Sequence, residues 1–344
     1  MHRKIIALAI ASALAAPAVA FAEATVYGQV NLSVDIVNDG NSPGSTNNQL
    51  TSGGSRLGFK GSEDLGGGMS VVWVLEGDVA VDTGATTAGQ LFSRASNVGL
   101  KSDSMGTVAF GLQDTPYKAS TRNLDLFGDS AADNRRLMGI GHDVGVTNAV
   151  SYSSPSMSGF SVVAATVFGA ENAAAGDTKG SALGLAGMYA QGPVYATLAY
   201  DSATFGTPGS GILGAAAPFA VDDKSKAFKL GGSFAMDAFT VNAVIEKTTD
   251  SIAANGGDTT GTNFYIAGKF NFSSTDAVKL AYTRKGTQTQ AGTDLKNDVT
   301  QYAIGYDHSL SKATSAGVLY TKVTDNSVGG ADPSILSFGL KHSF

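Results

Sequence analysis

Polar and apolar residues alternate with a period of two along almost the whole chain. At residues 25–36 every even position is apolar or glycine, and every odd position is polar or tyrosine. Residues 55–63, 107–113, 239–246 and 336–344 repeat the pattern with few interruptions. A helix does not sort twelve residues in this way, whereas a strand with two different faces does. The alternation therefore predicts a chain built almost entirely from β-strands.

The connectors between the predicted strands alternate between two lengths. Seven are short turns, at residues 64–68, 102–105, 153–159, 191–193, 236–237, 273–276 and 309–312. Eight are long stretches rich in Gly, Asn, Thr and Asp, at residues 38–54, 82–90, 114–145, 170–181, 202–225, 248–261, 286–298 and 324–333. Seven turns and eight loops separate sixteen strands, so the turns lie at one end of the sheet and the loops at the other.

Short strands with many turns are also typical of a β-sandwich. A sandwich buries the facing sides of its sheets, but here the face opposite the apolar one is polar throughout. An outward apolar face, with turns at one rim and loops at the other, is typical of outer-membrane barrels, which are closed because lipid cannot satisfy a sheet edge. We therefore predict an all-β fold, a 16-stranded antiparallel transmembrane β-barrel with short periplasmic turns and long extracellular loops. Sixteen strands enclose a lumen wide enough for water.

The N-terminus has the pattern of a secretory signal peptide. A basic stretch at residues 1–4 precedes an apolar stretch at residues 5–16, and Ala20, Phe21 and Ala22 form a small-x-small cleavage site. We predict a signal peptide at residues 1–22 and a single mature barrel domain at residues 23–344. A retained N-terminal anchor is the alternative.

The composition argues against several classes of site. The chain has no Cys, which excludes a disulfide framework, a thiolate zinc site and a cysteine nucleophile. Its four His residues show neither metal spacing nor a recognisable Ser-His-Asp arrangement. A net charge of −6 argues against a nucleic-acid partner. We predict no catalytic residues, no cofactor and no metal, and therefore no enzyme.

Four segments carry a resemblance to a known family, the trimeric general diffusion porins of the Gram-negative outer membrane. Residues 55–68 (SRLGFKGSEDLGGG) are similar to the second strand and its turn in that family. Residues 93–94 (SR) and 98–100 (VGL) resemble its fourth strand. Residues 148–155 (NAVSYSSP) resemble the strand that follows the long third loop, and residues 339–344 (GLKHSF) resemble the C-terminal strand.

The resemblance implies a function, a location and partners. The protein would be a homotrimer in the outer membrane, forming a water-filled channel for passive diffusion of small hydrophilic solutes and ions. It would contact outer-membrane lipids and lipopolysaccharide. The barrel-insertion machinery would recognise the C-terminal strand through Phe344, as an assembly signal.

The longest connector, at residues 114–145, resembles the third loop, which porins fold into the barrel to constrict it. Phe127, Gly128 and Asp129 resemble the loop tip, and glycine permits the tight backbone path that such a tip requires. The resemblance implies a constriction loop whose charged candidates are Arg122, Asp125, Asp129, Asp133, Arg135 and Arg136.

Basic residues are expected on the wall opposite this loop. Arg56 and Arg94 match the family motif, and strand parity turns Arg56 and Lys60 inward because Leu57 and Phe59 must face lipid. An Arg on the lipid face near mid-bilayer would cost ~2–4 kcal/mol. Facing Arg and Asp side chains create a transverse field that orients dipolar solutes.

The sequence departs from the family after the loop. Related porins often have another Arg at the start of the sixth strand, where this chain has Asp143, Val146 and Thr147. The basic cluster is then assembled differently, and the net acidity favours cations weakly.

Three other functions remain open at this point. A substrate-specific outer-membrane channel would need an aromatic strip or a constriction of one charge sign. A barrel hydrolase would need a catalytic His arrangement that the sequence does not reveal. A surface receptor or adhesin would use the long loops on the same barrel.

Overall fold

The computed structural model describes residues 23–41, 45–86, 89–169, 179–206 and 219–344. The predicted signal peptide lies outside the described residues. A short helix, α1 (Pro116–Thr121), and 3-10 turns at Arg122–Leu124, Asn134–Arg136 and Ala253–Asn255 accompany the strands. No helix in these ranges is both long and apolar enough to cross a membrane.

The strands are numbered in chain order. They are β1 Glu23–Asn38, β2 Thr46–Ser52, β3 Arg56–Gly66, β4 Met69–Ala80, β5 Ala85–Thr86, β6 Ala95–Ser102, β7 Gly106–Asp114, β8 Gly145–Ser153, β9 Phe160–Phe168, β10 Ser181–Gln191, β11 Val194–Thr204, β12 Lys224–Met236, β13 Phe239–Ile252, β14 Gly257–Asn271, β15 Asp276–Lys285, β16 Thr289–Gln290, β17 Thr293–Asp294, β18 Val299–Ser309, β19 Thr314–Asp325 and β20 Ser334–Ser343.

The sheet closes into a barrel in which neighbouring strands are antiparallel. β2 and β3 pair with successive halves of β1, so they form one barrel strand that is interrupted at residues 53–55. The two-residue strands β5, β16 and β17 lie within loops, and β20 pairs with β1 to close the sheet. With β2 and β3 counted as one strand, sixteen strands surround the lumen. The predicted 16-stranded all-β barrel is confirmed.

The last residue completes the closure. The backbone N–H of Gly28 donates to the carbonyl of Phe344 at 2.9 Å, and the N–H of Phe344 donates back at 3.1 Å. The Phe344 ring lies over Gly28, where an added Cβ would come within 2.6 Å of the ring. Only glycine permits this close contact between the first strand and the C-terminal side chain.

The connector pattern is confirmed at the turn rim and corrected at two loops. The region 38–54 is not one loop, because β2 occupies residues 46–52, and β13 and β14 leave only residues 253–256 between them. These strand ends extend the barrel wall with segments such as TNNQLTS and GDTTG, in which few side chains are apolar. The alternation that identifies a strand is absent there, so the sequence pattern underestimated the strand lengths.

The two faces of the barrel have the predicted chemistry. Leu57 and Phe59 are exposed on the outside, whereas Gln29 is 4% exposed on the lumen side. In the fourth barrel strand, β6, Val98 and Leu100 face outward, so the alternation turns Asn97 inward. The Asn97 side-chain amide donates to the carbonyl of Leu112 at 2.9 Å, which satisfies it inside the wall.

Candidate functional site

The connector between β7 and β8 begins with a helix packed against inward-facing residues. Thr115 caps α1 by accepting from the N–H of Lys118 at 3.1 Å, and Pro116 occupies the first turn. Tyr117 is fully buried among small wall side chains, Ala186, Ala199 and Ala227. These alanines leave the space that the tyrosine ring fills, which positions the start of the connector against β10, β11 and β12.

Glu246 on β13 is a centre of hydrogen bonding to this connector. Its carboxylate accepts from the Tyr117 hydroxyl at 2.7 Å and from the backbone N–H of Gly139 at 2.9 Å. The side-chain amide of Asn263 donates to it at 2.7 Å. Glu246 is 1% exposed, so this one wall carboxylate binds two separate parts of the connector out of contact with bulk water.

Lys229 on β12 supplies the positive charge next to Glu246. Its ammonium lies 2.7 Å from both carboxylate oxygens of Asp143, 3.8 Å from Glu246 and 4.0 Å from the centre of the Tyr117 ring. Burial raises the pKa of Asp143, and Lys229 opposes that shift. Breaking a buried pair of this kind is strongly destabilising, because the remaining charge has no compensation. This cluster therefore holds the end of the connector to the wall.

The carboxylate of Asp125 points into the connector and away from open water. It accepts from the N–H groups of Phe127 and Asn134 at 2.8 and 2.9 Å, and from the Tyr265 hydroxyl at 3.1 Å. Burial, followed by the negative charge of Asp133, raises the pKa of Asp125 to about 6. Its partners make it an organiser of the local backbone.

Phe127 and Gly128 lead to the tip of the connector. The Phe127 ring is 3% exposed and packs against Gly305, with the ammonium of Lys279 at 4.8 Å from its centre. The same ammonium donates to the carbonyl of Leu126 at 3.0 Å. Phe127 therefore contacts the wall at β15 and β18.

Asp129 joins the tip to the opposite wall. Its carboxylate lies 3.1 Å from the guanidinium of Arg56 on β3 and 3.1 Å from that of Arg135. The side chain of Asn31 on β1 donates to the Asp129 carbonyl at 3.1 Å. Burial raises the pKa of Asp129. The hydrogen bond and charge of Arg56 outweigh this effect and hold the pKa below its usual range. The connector thus runs between two sides of the barrel.

The tip is stabilised by its own charges. Asp133 caps the turn at Asn134–Arg136 and accepts from the side chain of Arg135 at 2.9 Å, and it also accepts from the N–H of Asp129 at 2.9 Å. The guanidinium of Arg135 thereby bridges Asp133 and Asp129. Arg136 is exposed. The predicted acidic residues are therefore brought close together, but Asp125 and Asp133 are used mainly within the connector.

The remaining predicted basic residues line the wall and the base of the connector. Arg94 lies 2.6 Å from Glu76 and 2.8 Å from Asp78, both on β4. Arg122 lies 2.8 Å from Asp114. Lys60 lies farther towards the turn rim, 4.9 Å above the ring of Tyr27. The structure joins Arg56 directly to the tip, whereas Arg94 and Lys60 contact other wall residues.

Three buried residues form an arrangement that the sequence did not reveal. His142 Nε2 lies 2.8 Å from the hydroxyl of Ser225, and Nδ1 lies 3.3 Å from Asp201. The Ser225 hydroxyl donates to Asp250. These are the residue types of a Ser-His-Asp triad. However, the Ser225 hydroxyl donates its proton to Asp250, and all three residues are buried.

The wall residues missed by sequence reasoning share one detectable signal. Lys229, Glu246 and Asp201 occupy lumen-facing positions in strands whose other face is apolar. A charged side chain at such a position indicates that it faces the lumen. It does not reveal the partner, which for Tyr117 and Glu246 is 129 residues away in the sequence.

Comparison with known proteins places this geometry in a family. A family model described as Gram-negative porin matches residues 7–328. The major outer membrane protein P.IB of Neisseria lactamica is 26% identical over 362 residues, covering 100% of both chains. Outer membrane porin protein 32 of Delftia acidovorans is 28% identical over 326 residues, covering 92% of this chain and 87% of the relative.

A solved structure shares the fold. The anion-selective porin from Comamonas acidovorans superposes with a TM-score of 0.78 at 22% identity, covering 94% of this chain and 100% of that chain. The family match spans nearly the whole chain, and the closed 16-stranded barrel agrees with it. The chain belongs to the Gram-negative porin family and is a diffusion channel of the outer membrane.

Proposed function

We propose that this porin is a non-enzymatic homotrimer for general diffusion of small hydrophilic solutes and ions, with residues 114–145 as its constriction loop. The observation that carries the proposal is the ion pair between Asp129 at the tip and Arg56 on the wall, at 3.1 Å. A loop that contacts both sides of a barrel narrows the water-filled cross-section, which is how pore diameter sets a size limit. The resemblance to trimeric porins supports the oligomeric state.

The charges bordering the constriction are largely paired. Arg56, Arg94 and Arg122 each have a carboxylate partner within 3.1 Å. Fixed pairs of opposite sign orient a dipolar solute without binding it tightly, which suits passive diffusion of many solutes. Among the described residues that border the spaces beside the loop, Phe127 is the single aromatic one, which favours general diffusion over a substrate-specific channel with an aromatic strip.

Charged side chains without an ion-pair partner near the constriction bear on its selectivity, and among the described residues they include the acidic Asp35 and Asp125 as well as basic side chains. Among the described residues, Lys60, Arg136 and Lys341 have no carboxylate within ion-pair distance. Ion selectivity depends more on the charges near the permeating ion than on the net charge of the chain, because salt screens charges beyond about 10 Å. Because unpaired charges of both signs border this level, we infer that the pore discriminates only weakly between anions and cations.

The buried His142, Ser225 and Asp201 do not form a catalytic site in this proposal. A nucleophilic serine needs a proton acceptor and an open face for substrate. The Ser225 hydroxyl already donates to Asp250, and Ser225 is 4% exposed. The hydrogen bonds instead hold the end of the loop to β11 and β12.

Planar-bilayer recording of the purified protein tests the proposal. We expect stepwise conductance in groups of three, and a small reversal potential in a KCl gradient, as weak charge selectivity requires. Arg56→Gln should lower the anion-to-cation permeability ratio about two- to fivefold, because one charge close to a permeating ion in water is worth about 1 kcal/mol. Lys322→Gln removes a charge at the loop end of β19 and should leave the ratio unchanged.

Folded protein that gives silent bilayers would contradict the channel itself. An unchanged reversal potential in Arg56→Gln would place the selectivity elsewhere than at this ion pair. Steps that occur singly, from protein that migrates as a monomer, would contradict the trimer.

A further inference from the structure

A second compartment lies behind the tip of the loop. The tip touches β18 through Phe127 and β1 and β3 through Asp129, and it passes in front of β19 and β20 without a hydrogen bond to either in the described residues. A cavity of about 780 Å³ lies there, bordered by the tip and by β1, β2, β19 and β20. We call it the side compartment.

Small lumen-facing residues create the space. Gly317 on β19 pairs with Gly339 on β20, which in turn pairs with Ser33 on β1, so three neighbouring strands present almost no side-chain volume at one level. A gap of this size between a loop and a wall is large enough for a small solute as well as water.

A buried carboxylate without a partner lies at one end of the side compartment. Asp35 is 2% exposed, and its Oδ1 has no hydrogen-bond partner among the described residues. Ser337, which opposes Asp35 across β1 and β20, is likewise buried with an unpaired hydroxyl. Buried polar groups are normally satisfied, so the Asp35 oxygen needs a donor, and the Ser337 hydroxyl a donor or an acceptor, from a molecule in the cavity. No described Lys, Arg or His lies within ion-pair distance of Asp35, so a cationic donor fits best.

A surplus cation lies at the other end. Lys341 borders the cavity four residues along β20 from Ser337, or about 13 Å at the usual rise of a strand. The carboxylates that act on Lys341 are Asp129 and Asp307, but Asp129 is already paired with Arg56 and Asp307 with Lys279 at 2.8 Å. The ammonium of Lys341 is therefore available for an anion.

We propose that the side compartment binds small zwitterionic solutes whose ammonium and carboxylate are separated by several bonds, with the ammonium at Asp35 and the carboxylate at Lys341. Charge-assisted hydrogen bonds at both ends select for opposite charges at a matching distance. A solute with adjacent charges reaches only one of the two groups. Binding of this kind concentrates such solutes beside the constriction.

A chain-length series tests the site in the intact trimer. We would measure the reduction of ion current by glycine, 4-aminobutyrate and 6-aminohexanoate, with hexanoate and hexylammonium as probes of one charge each. We expect the apparent affinity to rise along the zwitterion series and to exceed that of both single-charge probes. Asp35→Asn and Lys341→Gln should each weaken binding of 6-aminohexanoate about tenfold, since each removes one charge-assisted contact.

Controls and a second readout separate this site from the channel. Lys341→Arg should retain binding, and Asp237→Asn and Lys322→Gln, which remove charges outside the compartment, should not change it. Saturation-transfer NMR on the detergent-solubilised protein measures binding of the solute directly, including for a variant that conducts poorly. Equal binding of hexanoate and 6-aminohexanoate, or unchanged affinity in Asp35→Asn, would overturn the proposal. Normal conductance without any effect of the zwitterions would also overturn it and would leave the porin function intact.

Discussion

Asp125 and Asp129 lie four residues apart in the loop and have opposite electrostatic environments. Asp125 accepts three hydrogen bonds but has no basic partner within ion-pair distance in the described chain, and burial raises its pKa. Asp129 lies between Arg56 and Arg135, which outweigh its burial and lower its pKa. Sequence position therefore says little about the protonation of a loop carboxyl, because the partners decide it.

The raised pKa of Asp125 predicts a pH-dependent stability. Its pKa rises from an ordinary 3.8 to about 6, so the folded protein holds more protons than the unfolded chain between these values. The stabilisation from protonation is complete below about pH 3.8 and is lost as the pH rises through about 6. The difference in melting temperature between the wild type and Asp125→Asn should therefore increase in favour of the wild type from pH 7 to pH 5.

Asp129→Asn provides the control for this measurement. A carboxyl with a lowered pKa stays ionised between pH 5 and pH 7, so the difference between the wild type and this variant should stay constant there. Parallel melting profiles for the wild type and Asp125→Asn would show that Asp125 does not take up the proton.

Each barrel strand separates two environments, and its interruptions have local causes. The break between β2 and β3 places Gly53 and Gly54 directly under the loop tip. An added Cβ would lie 2.4 Å from the Asp129 carbonyl oxygen at Gly53, and 2.5 Å from its carboxyl carbon at Gly54. The irregular backbone therefore accommodates the tip, as interruptions in barrel strands near functional sites commonly do.

The two faces of β3 should respond differently to the same substitution. Leu57→Arg places a charge on the outer face and should lower the free energy of unfolding by about 2–4 kcal/mol near mid-bilayer. Ser62→Arg adds the same side chain on the lumen-facing parity of the strand, where water solvates it, and should have little effect. Denaturant titration in lipid vesicles measures both. Equal losses in the two variants would contradict the assignment of the faces.

At the scale of the whole molecule, one loop connects distant parts of the barrel. It contacts β10 to β15 and β18 along one side, and β1 and β3 on the other. The wall therefore supports the loop, and the loop in turn links strands that are not neighbours. A change at a wall residue such as Glu246 should consequently alter both barrel stability and channel behaviour.

Glu246→Ala tests this connection. The variant leaves the Tyr117 hydroxyl and the Gly139 N–H without their acceptor and Lys229 without one of its two carboxylates. Losing a buried charged partner costs about 3–5 kcal/mol. We expect noisier open-channel current and faster proteolysis within the loop. Lys247→Ala changes the adjacent residue on the exposed face and should do neither; similar noise in both variants would contradict the role of Glu246.

The sequence alone predicted the strand count, the outward face and the seven turns, because each depends on short-range alternation within one strand. It located Arg56 on the lumen side by the same parity. It missed the strand ends at residues 46–52 and 257–261, where the alternation stops. It also identified the long loop by length and resemblance, but assigned all its acidic residues the same role.

Alternation with a period of two determined the barrel, since lipid on one side and water on the other impose it on every strand independently. Only the tertiary structure decided which charges meet. Glu246 pairs with Tyr117 and Asp129 pairs with Arg56, at separations of 129 and 73 residues, and no local pattern encodes such partners. The same holds for the side compartment, because Asp35 and Lys341 come together only when the last strand closes on the first.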